Sequence, residues 1–325
     1  MSRETFELIE RLRGSKARAA MATLVNTSGS TPRKDGTKMF VGEDGSIFGS
    51  VTIGGCVDAR VIEASQEVLE SSKPQLLEMQ LGDEEAWEIG LTCGGTVHVF
   101  VEPVAGDLIG VYDEARRELD AGRPVSIATT VRGENIGTRT LLREQARSSE
   151  NIYVEVLRPS ATLVIFGASA VAIPLVTFAN ALGFTTVVVD GREKFASRER
   201  FPDVGEIRIG IVSEIAGQLK LGATTPVVLV AHDYKIDVPV LKLALATDAP
   251  YIGLLGSRRR GAAILQMLRD DGVPETQLAR IRNPIGLDLG GESAADIALS
   301  IIAEVTAAMH GRTGTPLREL DASVR

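Results

Sequence analysis

The chain has 325 residues and a formal net charge of −8 at pH 7, from 35 basic and 43 acidic side chains. This length suits two domains, and the acidic balance makes nucleic acid an unfavourable partner. The sequence contains no run of about 18 apolar residues, so it predicts no membrane span.

Cysteine is rare, and this rarity excludes several classes of protein. Cys56 and Cys93 are too few for a disulfide scaffold, and the amino terminus lacks the apolar stretch of a secretory signal. We therefore expect a cytoplasmic protein. An iron–sulfur cluster needs about four cysteine ligands, so the sequence also excludes an electron relay built from such clusters.

The first part of the chain, residues 1–158, reads as a mixed α+β domain. The segments KMFVG and SIFGSV flank Glu43-Asp44-Gly45, a pattern that predicts a hairpin. A strand pair is also predicted at 124–131 and 137–143. The other predicted elements are helices at 4–12, 57–71 and 108–120, and strands at 19–27, 75–81 and 96–102.

The second part, residues 159–310, begins where Pro159 ends the preceding segment. Strands, glycine turns and helices then alternate. The predicted strands TLVIFG, TTVVVD, PVVLVA and YIGLLGS are apolar on both faces, which is typical of a parallel sheet. The fold class is therefore α/β, with a Rossmann-like doubly wound parallel sheet after the α+β domain. We expect the polar tail at 311–325 to be disordered.

A glycine motif links the first strand of this sheet to a helix. Gly167-Ala-Ser169-Ala-Val-Ala172 approaches the dinucleotide template G-x-G-x-x-G/A, and Asp190 supplies the acid expected about 20 residues later. Ser169 replaces the middle glycine, which normally lets a pyrophosphate approach the backbone. Its Cβ would crowd a dinucleotide, whereas its hydroxyl can donate to a phosphate. The motif therefore leaves NAD(P) binding open.

Two further polar segments directly follow predicted strands. His232 and Asp233 come after PVVLVA, where the imidazole can serve as acid, base or ligand contact, or the segment can simply cap a helix. Ser257 and Arg258 come after YIGLLG, with two more arginines beyond them. A serine N-cap with three guanidinium groups suits a phosphate, and the alternative is a solvated basic turn.

The first domain places both cysteines beside paired glycines. Gly54 and Gly55 precede Cys56 at the start of a predicted helix, where the helix dipole favours a thiolate able to bind a soft metal or transfer sulfur. Cys93 precedes a second Gly-Gly pair. A lone cysteine is more often a small buried residue, but this repeated context indicates a shared pocket. Arg33, in Gly-Ser-Thr-Pro-Arg, adds an anion contact.

These motifs together resemble a known family. GSTPRKDG, SIFGSVTIGGCVDARVIEA and LTCGGTVHVFVEP are similar to the amino-terminal domain of the XdhC/CoxI family. GASAVA, AHD, YIGLLGSRRR and PIGLDLG are similar to its carboxy-terminal Rossmann domain. The similarity extends over roughly residues 5–310.

The resemblance implies a cytoplasmic accessory protein for molybdenum hydroxylases of the xanthine dehydrogenase or CO dehydrogenase type. Such a protein binds molybdenum cofactor, supports its sulfuration by a cysteine desulfurase, and delivers it to the apo-enzyme. We expect a homodimer, and a cofactor cleft lined by both domains. Its expected lining residues are Arg33, Cys56, Cys93, His232 and Arg258, with Cys56 contacting molybdenum. The alternatives are an NAD(P)-dependent oxidoreductase and, against the cysteine count, a molybdenum hydroxylase itself.

Overall fold

The computed structural model describes residues 2–15, 17–29, 35–52, 56–81, 95–144 and 146–320. The chain divides into two compact units, Met1–Pro159 and Ser160–Arg325. Within the described ranges, no helix has both the length and the apolar character needed to cross a membrane.

The first unit contains three helices and eight strands within its described residues. These are α1 (Ser2–Ser15), β1 (Ala19–Gly29), β2 (Lys38–Gly42), β3 (Ile47–Gly49), α2 (Cys56–Ser71), β4 (Gln75–Leu81), β5 (Gly95–Pro103), α3 (Gly106–Asp120), β6 (Val125–Thr130), β7 (Arg139–Leu142) and β8 (Ile152–Leu157). The antiparallel strands lie in the order β3-β2-β1-β5-β4 in one sheet and β7-β6-β8 in another. The predicted β2–β3 hairpin and β6–β7 pair are confirmed.

Strand β5 shows how alternation assigns the two faces of the larger sheet. Val97, Val99 and Val101 join the cluster that packs against α2, whereas Phe100 joins a separate cluster with Tyr153 of β8. Successive side chains of a strand point to opposite faces, so an apolar strand buried on both sides can serve two cores.

Strand β8 was not predicted from the sequence. It carries a largely buried carboxylate that is paired with residues of other elements. The Glu155 carboxylate accepts from Lys38 Nζ at 2.7 Å and from Tyr112 Oη at 2.6 Å. Arg139 on β7 forms a second buried ion pair with Glu102 on β5. Burial and Glu155 together raise the pKa of Tyr112. Charged residues paired in this way interrupt the apolar pattern by which a strand is read from sequence.

The second unit is built around a parallel sheet. Its elements are β9 (Thr162–Phe166), α4 (Ala172–Ala181), β10 (Thr185–Asp190), β11 (Glu206–Ile209), α5 (Val212–Gln218), β12 (Val227–Leu229), α6 (Tyr234–Leu245), β13 (Ile252–Leu254), α7 (Arg258–Asp270), α8 (Glu275–Leu278), β14 (Ile281–Arg282), α9 (Ala294–Met309) and a 3-10 turn (Leu317–Glu319). The strand order is β11-β10-β9-β12-β13-β14. Numbered within the unit, this is the Rossmann order 3-2-1-4-5-6.

Helices cover both faces of this sheet, which confirms the predicted doubly wound architecture. On one face, Leu163 and Ile165 of β9 pack with apolar residues of α4 and α9. On the other face, Val164 and Phe166 pack with α5, α6 and α7. A capping box between Ser293 and Asp296 starts α9, as the pattern of the last helix indicates.

Candidate functional site

The carboxyl ends of the parallel strands meet at one edge of the second unit. The strand order reverses between β9 and β12, and doubly wound folds bind ligands in the crevice at this point. Seven of the predicted site residues lie in the segments at this edge that end or follow β9, β10, β12 and β13: Gly167, Ser169, Asp190, His232, Asp233, Ser257 and Arg258.

Gly167 is required where the β9 and β12 loops meet. Its φ is +107°, in the region that favours glycine, and a Cβ here would lie 2.6 Å from both Cα and N of Ala231. The two loops on either side of the strand-order reversal are therefore in close backbone contact. Any side chain at position 167 would force them apart.

Ser169 presents a buried hydroxyl at the start of α4. Its Oγ has no hydrogen-bond partner among the described residues. The N-cap residue of α4, Val171, makes no side-chain capping bond. In the first turn Ala172 N donates to Ser169 O at 3.2 Å and Pro174 has no N–H, so Ile173 supplies the remaining N–H of that turn. A free N–H in the first turn of a helix together with a free hydroxyl can donate to a phosphate.

The carboxylate oxygens of Asp190 already accept hydrogen bonds from neighbouring residues. Its Oδ1 accepts from the backbone N and Nε of Arg192, both at 2.9 Å. Its Oδ2 accepts from Arg192 Nη2 at 2.8 Å and Ala168 N at 2.7 Å. Burial alone would raise the pKa of Asp190, but these hydrogen bonds outweigh it and the pKa is lowered. The carboxylate expected to hold a ribose diol is thus already bonded within the protein.

His232 and Asp233 differ in whether their side chains remain available to a ligand. His232 is exposed and adopts a left-handed φ of +58°, a strained conformation for a non-glycine residue that clusters at functional sites. The Asp233 carboxylate accepts from Lys235 N at 2.9 Å and is the N-cap of α6. The capping alternative therefore describes Asp233, while the imidazole faces solvent.

Ser257 and the arginines after it form the third segment at this edge. Ser257 is the predicted N-cap of α7 and accepts from Arg260 N at 3.2 Å. Arg258 and Arg259 are exposed, with no ion pair to a described residue. The expectation of three available guanidinium groups is wrong for Arg260, which pairs with the fully buried Asp237.

Sequence reasoning missed this buried acid. Burial raises the pKa of Asp237, although Arg260 and His232 act in the opposite direction. Its Oδ1 has no hydrogen-bond partner within the described structure. The only signal was an Asp in the first turn of a predominantly apolar helix. The exposed Arg192 and Phe195 after β10 were missed as well, signalled only by an aromatic residue in a charged loop.

In the first unit, the structure describes the surroundings of the Gly-Gly-Cys motif. Helix α2 begins at Cys56. The Asp58 carboxylate accepts from the Ser50 hydroxyl and from the backbone N and Oγ1 of Thr52, so it fastens the segment before the motif to the helix. Outside the described residues lie Arg33, Gly54, Gly55, Cys93 and the Cys56 side chain. Their assigned roles stay predictions.

Comparisons with known proteins agree on one family. The model of the XdhC Rossmann domain matches residues 163–305, and that of the XdhC and CoxI family matches residues 12–80. A Bacillus subtilis protein named as a probable xanthine dehydrogenase component is 23% identical over 92% of this chain and 95% of its own. The molybdenum cofactor insertion chaperone PaoD of Escherichia coli is 28% identical over 91% of this chain and 85% of its own.

A solved structure shares the whole fold. The crystal structure of a protein described as a xanthine dehydrogenase from Bacillus halodurans has a TM-score of 0.83 and 27% sequence identity. It covers 95% of this chain and 96% of its own. The two family models match in the expected order, and these relatives are matched over nearly their full lengths. The solved structure has the same fold. The chain belongs to the XdhC and CoxI family.

Proposed function

We propose that this protein is an accessory factor that binds molybdenum cofactor, supports its sulfuration and inserts it into a molybdenum hydroxylase of the xanthine dehydrogenase or CO dehydrogenase type. The relative named as a molybdenum cofactor insertion chaperone supports this role, because it aligns over 91% of the chain. A cysteine desulfurase and the hydroxylase apo-enzyme are the proposed protein partners.

The structural observation that carries the proposal is the unpartnered Ser169 hydroxyl at the start of α4. Molybdopterin ends in a phosphate, and a phosphate accepts hydrogen bonds from both hydroxyl and backbone N–H donors. The Ser169 hydroxyl and the Ile173 N–H, in the first turn of α4, supply one donor of each kind. The exposed Arg258, which follows Ser257 at the same sheet edge, would add positive charge.

The soft end of the cofactor calls for a different donor. A thiolate suits molybdenum, and Cys56 is the first residue of α2. We propose that Cys56 contacts the metal end, with Cys93 and Arg33 completing that site. When bound to its client, the cofactor supplies the molybdenum centre. This chain's own residues hold and release it.

Cofactor retention tests the proposal. The purified chain is mixed with molybdenum cofactor and ultrafiltered, and the retained molybdenum and pterin are quantified. We expect stoichiometric retention by wild type and a clear loss in Cys56→Ala. Ser71→Ala, at the opposite end of α2, should retain cofactor like wild type. Unchanged retention by Cys56→Ala would refute the metal-end role.

An NAD(P)-dependent oxidoreductase is the competing function. NAD and NADP are therefore tested under the same conditions, by ultrafiltration and by thermal shift, because any ligand of the folded state raises the melting temperature. No molybdenum retention with clear NAD(P) stabilisation would overturn the accessory role. Because Asp190 already accepts four hydrogen bonds, we expect no stabilisation by NAD or NADP.

The proposed homodimer needs a separate measurement. Light scattering of the purified chain, with and without cofactor, gives its mass in solution. A mass of twice the chain's 34.6 kDa supports the dimer. A monomeric mass in both states would remove it.

A further inference from the structure

The guanidinium group of Arg192 is a planar cation that is held in one orientation near the glycine loop. Both Nε and Nη2 of Arg192 donate to Asp190, whose side chain is 3% exposed, so the guanidinium plane is fixed by a two-point contact. The Arg192 guanidinium carbon also lies 4.2 Å from the centroid of the Phe195 ring. Even so, 54% of the Arg192 side chain is open to solvent.

Hydrogen bonds connect Arg192 and Phe195 to the loop that precedes α4. Ala168 N donates to Asp190, and Ala168 O accepts from Arg200 Nη1 at 3.1 Å. Arg200 also donates to Phe195 O at 2.7 Å. The N–H of Ala168 is therefore bonded to the acid that holds Arg192, and its carbonyl is bonded to the arginine that also holds Phe195. The next residue in the chain is Ser169, so the residue with the unpartnered hydroxyl directly follows the one that is bonded to Asp190.

The hydrogen bonds of Asp190 limit which ligand groups can bind beside it. An ionised carboxylate offers about four acceptor positions. Four hydrogen bonds reach Asp190, three from Arg192 and one from Ala168. A ribose diol would have to displace one of them. The groups that remain available are a planar cation and the phosphate donors at the start of α4.

We propose that Arg192, backed by Phe195, is the stacking surface for a planar nitrogen heterocycle whose attached phosphate lies at Ser169 and α4, and that the site ignores the ribose diol. Guanidinium planes stack on heterocycles, and the fixed geometry lowers the cost of ordering them. The proposal rests on the phosphate position in the proposed function. Two sources share this chemistry, a phosphorylated pterin and a nucleoside monophosphate.

Calorimetry on the full chain tests the stacking surface with defined probes. These are neopterin phosphate, CMP, 2′,3′-dideoxy-CMP and ribose 5-phosphate. We expect CMP and its dideoxy analogue to bind equally well, and ribose 5-phosphate to bind about tenfold more weakly because it has no ring to stack. Whichever of neopterin phosphate and CMP binds more tightly identifies the source of the heterocycle.

Variants separate stacking from charge. Arg192→Lys keeps a cation next to Asp190 but removes the plane, so binding of CMP and neopterin phosphate should weaken about tenfold while ribose 5-phosphate is unaffected. Phe195→Leu should weaken both ring-bearing probes in the same direction. Arg208→Lys is the matched control, because Arg208 also pairs with an acid two residues before it, Glu206.

The outcomes distinguish this proposal from the proposed function. If Arg192→Lys binds CMP and neopterin phosphate like wild type, the stacking surface is refuted. If the dideoxy analogue binds much more weakly than CMP, the claim that the site ignores the ribose diol is refuted. Retention of molybdenum cofactor would then still support the accessory role. If the ring-bearing probes depend on Arg192 but no molybdenum cofactor is retained, the accessory role fails and the stacking surface stands.

Discussion

Individual polar side chains at the sheet edge either fasten the fold or remain available to a ligand. Asp233 and Ser257 accept from helix amides, and Asp190 accepts four hydrogen bonds. The Ser169 hydroxyl has no partner among the described residues, and the Arg258 side chain is exposed. All five residues are of types that suit a ligand site when read from sequence. Only their hydrogen bonds in the fold separate the two groups.

Gly167→Ala tests the close approach of the β9 and β12 loops. The added Cβ would meet Ala231 backbone atoms at 2.6 Å, and the φ of +107° disfavours alanine. We expect a loss of at least about 2 kcal/mol in the free energy of unfolding. Gly217→Ala is the control, because it lies in helix α5 with open space around its Cβ position. Chemical denaturation should show that this control is neutral or stabilising; equal losses in both variants would contradict the explanation.

Asp190→Asn tests the ion pair with Arg192 through its pH dependence. The folded-state pKa of Asp190 is lowered, so its ionised form stabilises the fold above the ordinary aspartate pKa. That stabilisation is lost as pH falls through the lowered pKa. Asp190→Asn should therefore melt at a lower temperature at pH 7, and lose less stability than wild type between about pH 5 and pH 3. Asp203→Asn, at an exposed position, serves as the control. Parallel pH profiles for Asp190→Asn and wild type would refute the assignment.

The role of Arg192 illustrates what sequence cannot give at this scale. Its guanidinium folds back on an acid two residues earlier and rests on Phe195, which requires a turn after β10 that no local pattern specifies. The glycine motif and Asp190 were found because strand, turn and helix periodicities surround them. Without coordinates, Asp190 reads as a ligand acceptor. Its occupied oxygens appear only in the fold.

At the scale of elements, the buried charges of the first unit connect its two sheets. Lys38 and Glu102 belong to the five-stranded sheet, and their partners Glu155 and Arg139 belong to the three-stranded sheet. The four side chains are at most 15% exposed. Buried pairs of this kind contribute little net stability but are costly to break. They therefore favour one arrangement of the sheets over others.

Glu155→Gln tests this connection. The substitution leaves Lys38, whose side chain is 5% exposed, without a counter-charge. We expect a loss of about 3 kcal/mol in the stability of the first unit, measured by chemical denaturation. Glu63→Gln breaks an exposed helical pair with Arg60 and should cost less than about 0.5 kcal/mol. Similar small effects in both variants would mean that the buried pair does not fix the sheets.

The elements differ in how well sequence predicts them, and burial explains the difference. β9, β10, β12 and β13 were found because strands covered by helices on both faces are continuously apolar. The predictions missed β8, where Glu155 is paired inside while Ile152 and Val156 are 41% and 44% exposed. They also missed β11 and β14, which are short edge strands. Edge strands are buried on fewer sides, so their residues carry a weaker pattern.

At the scale of the whole molecule, the two units have separate cores. The two apolar clusters of the second unit contain only residues between Ala161 and Met309, and the three clusters of the first unit end at Leu157. The family models also divide the chain in this way, with one match in each unit. Separate cores and separate family matches indicate units that fold independently.

The fragment Ser160–Arg325 should therefore fold alone. It contains every strand of the parallel sheet and both apolar clusters that cover it, so we expect a cooperative thermal transition by circular dichroism, with calorimetric and van't Hoff enthalpies that agree. A fragment beginning at Ala172 lacks β9, which pairs with both β10 and β12, and should show no such transition. Loss of cooperativity in the longer fragment would show that the second unit needs the first. With β9 present, the sheet has its central strand, and the apolar faces that β9 shares with α4 and α6 can close without any residue of the first unit.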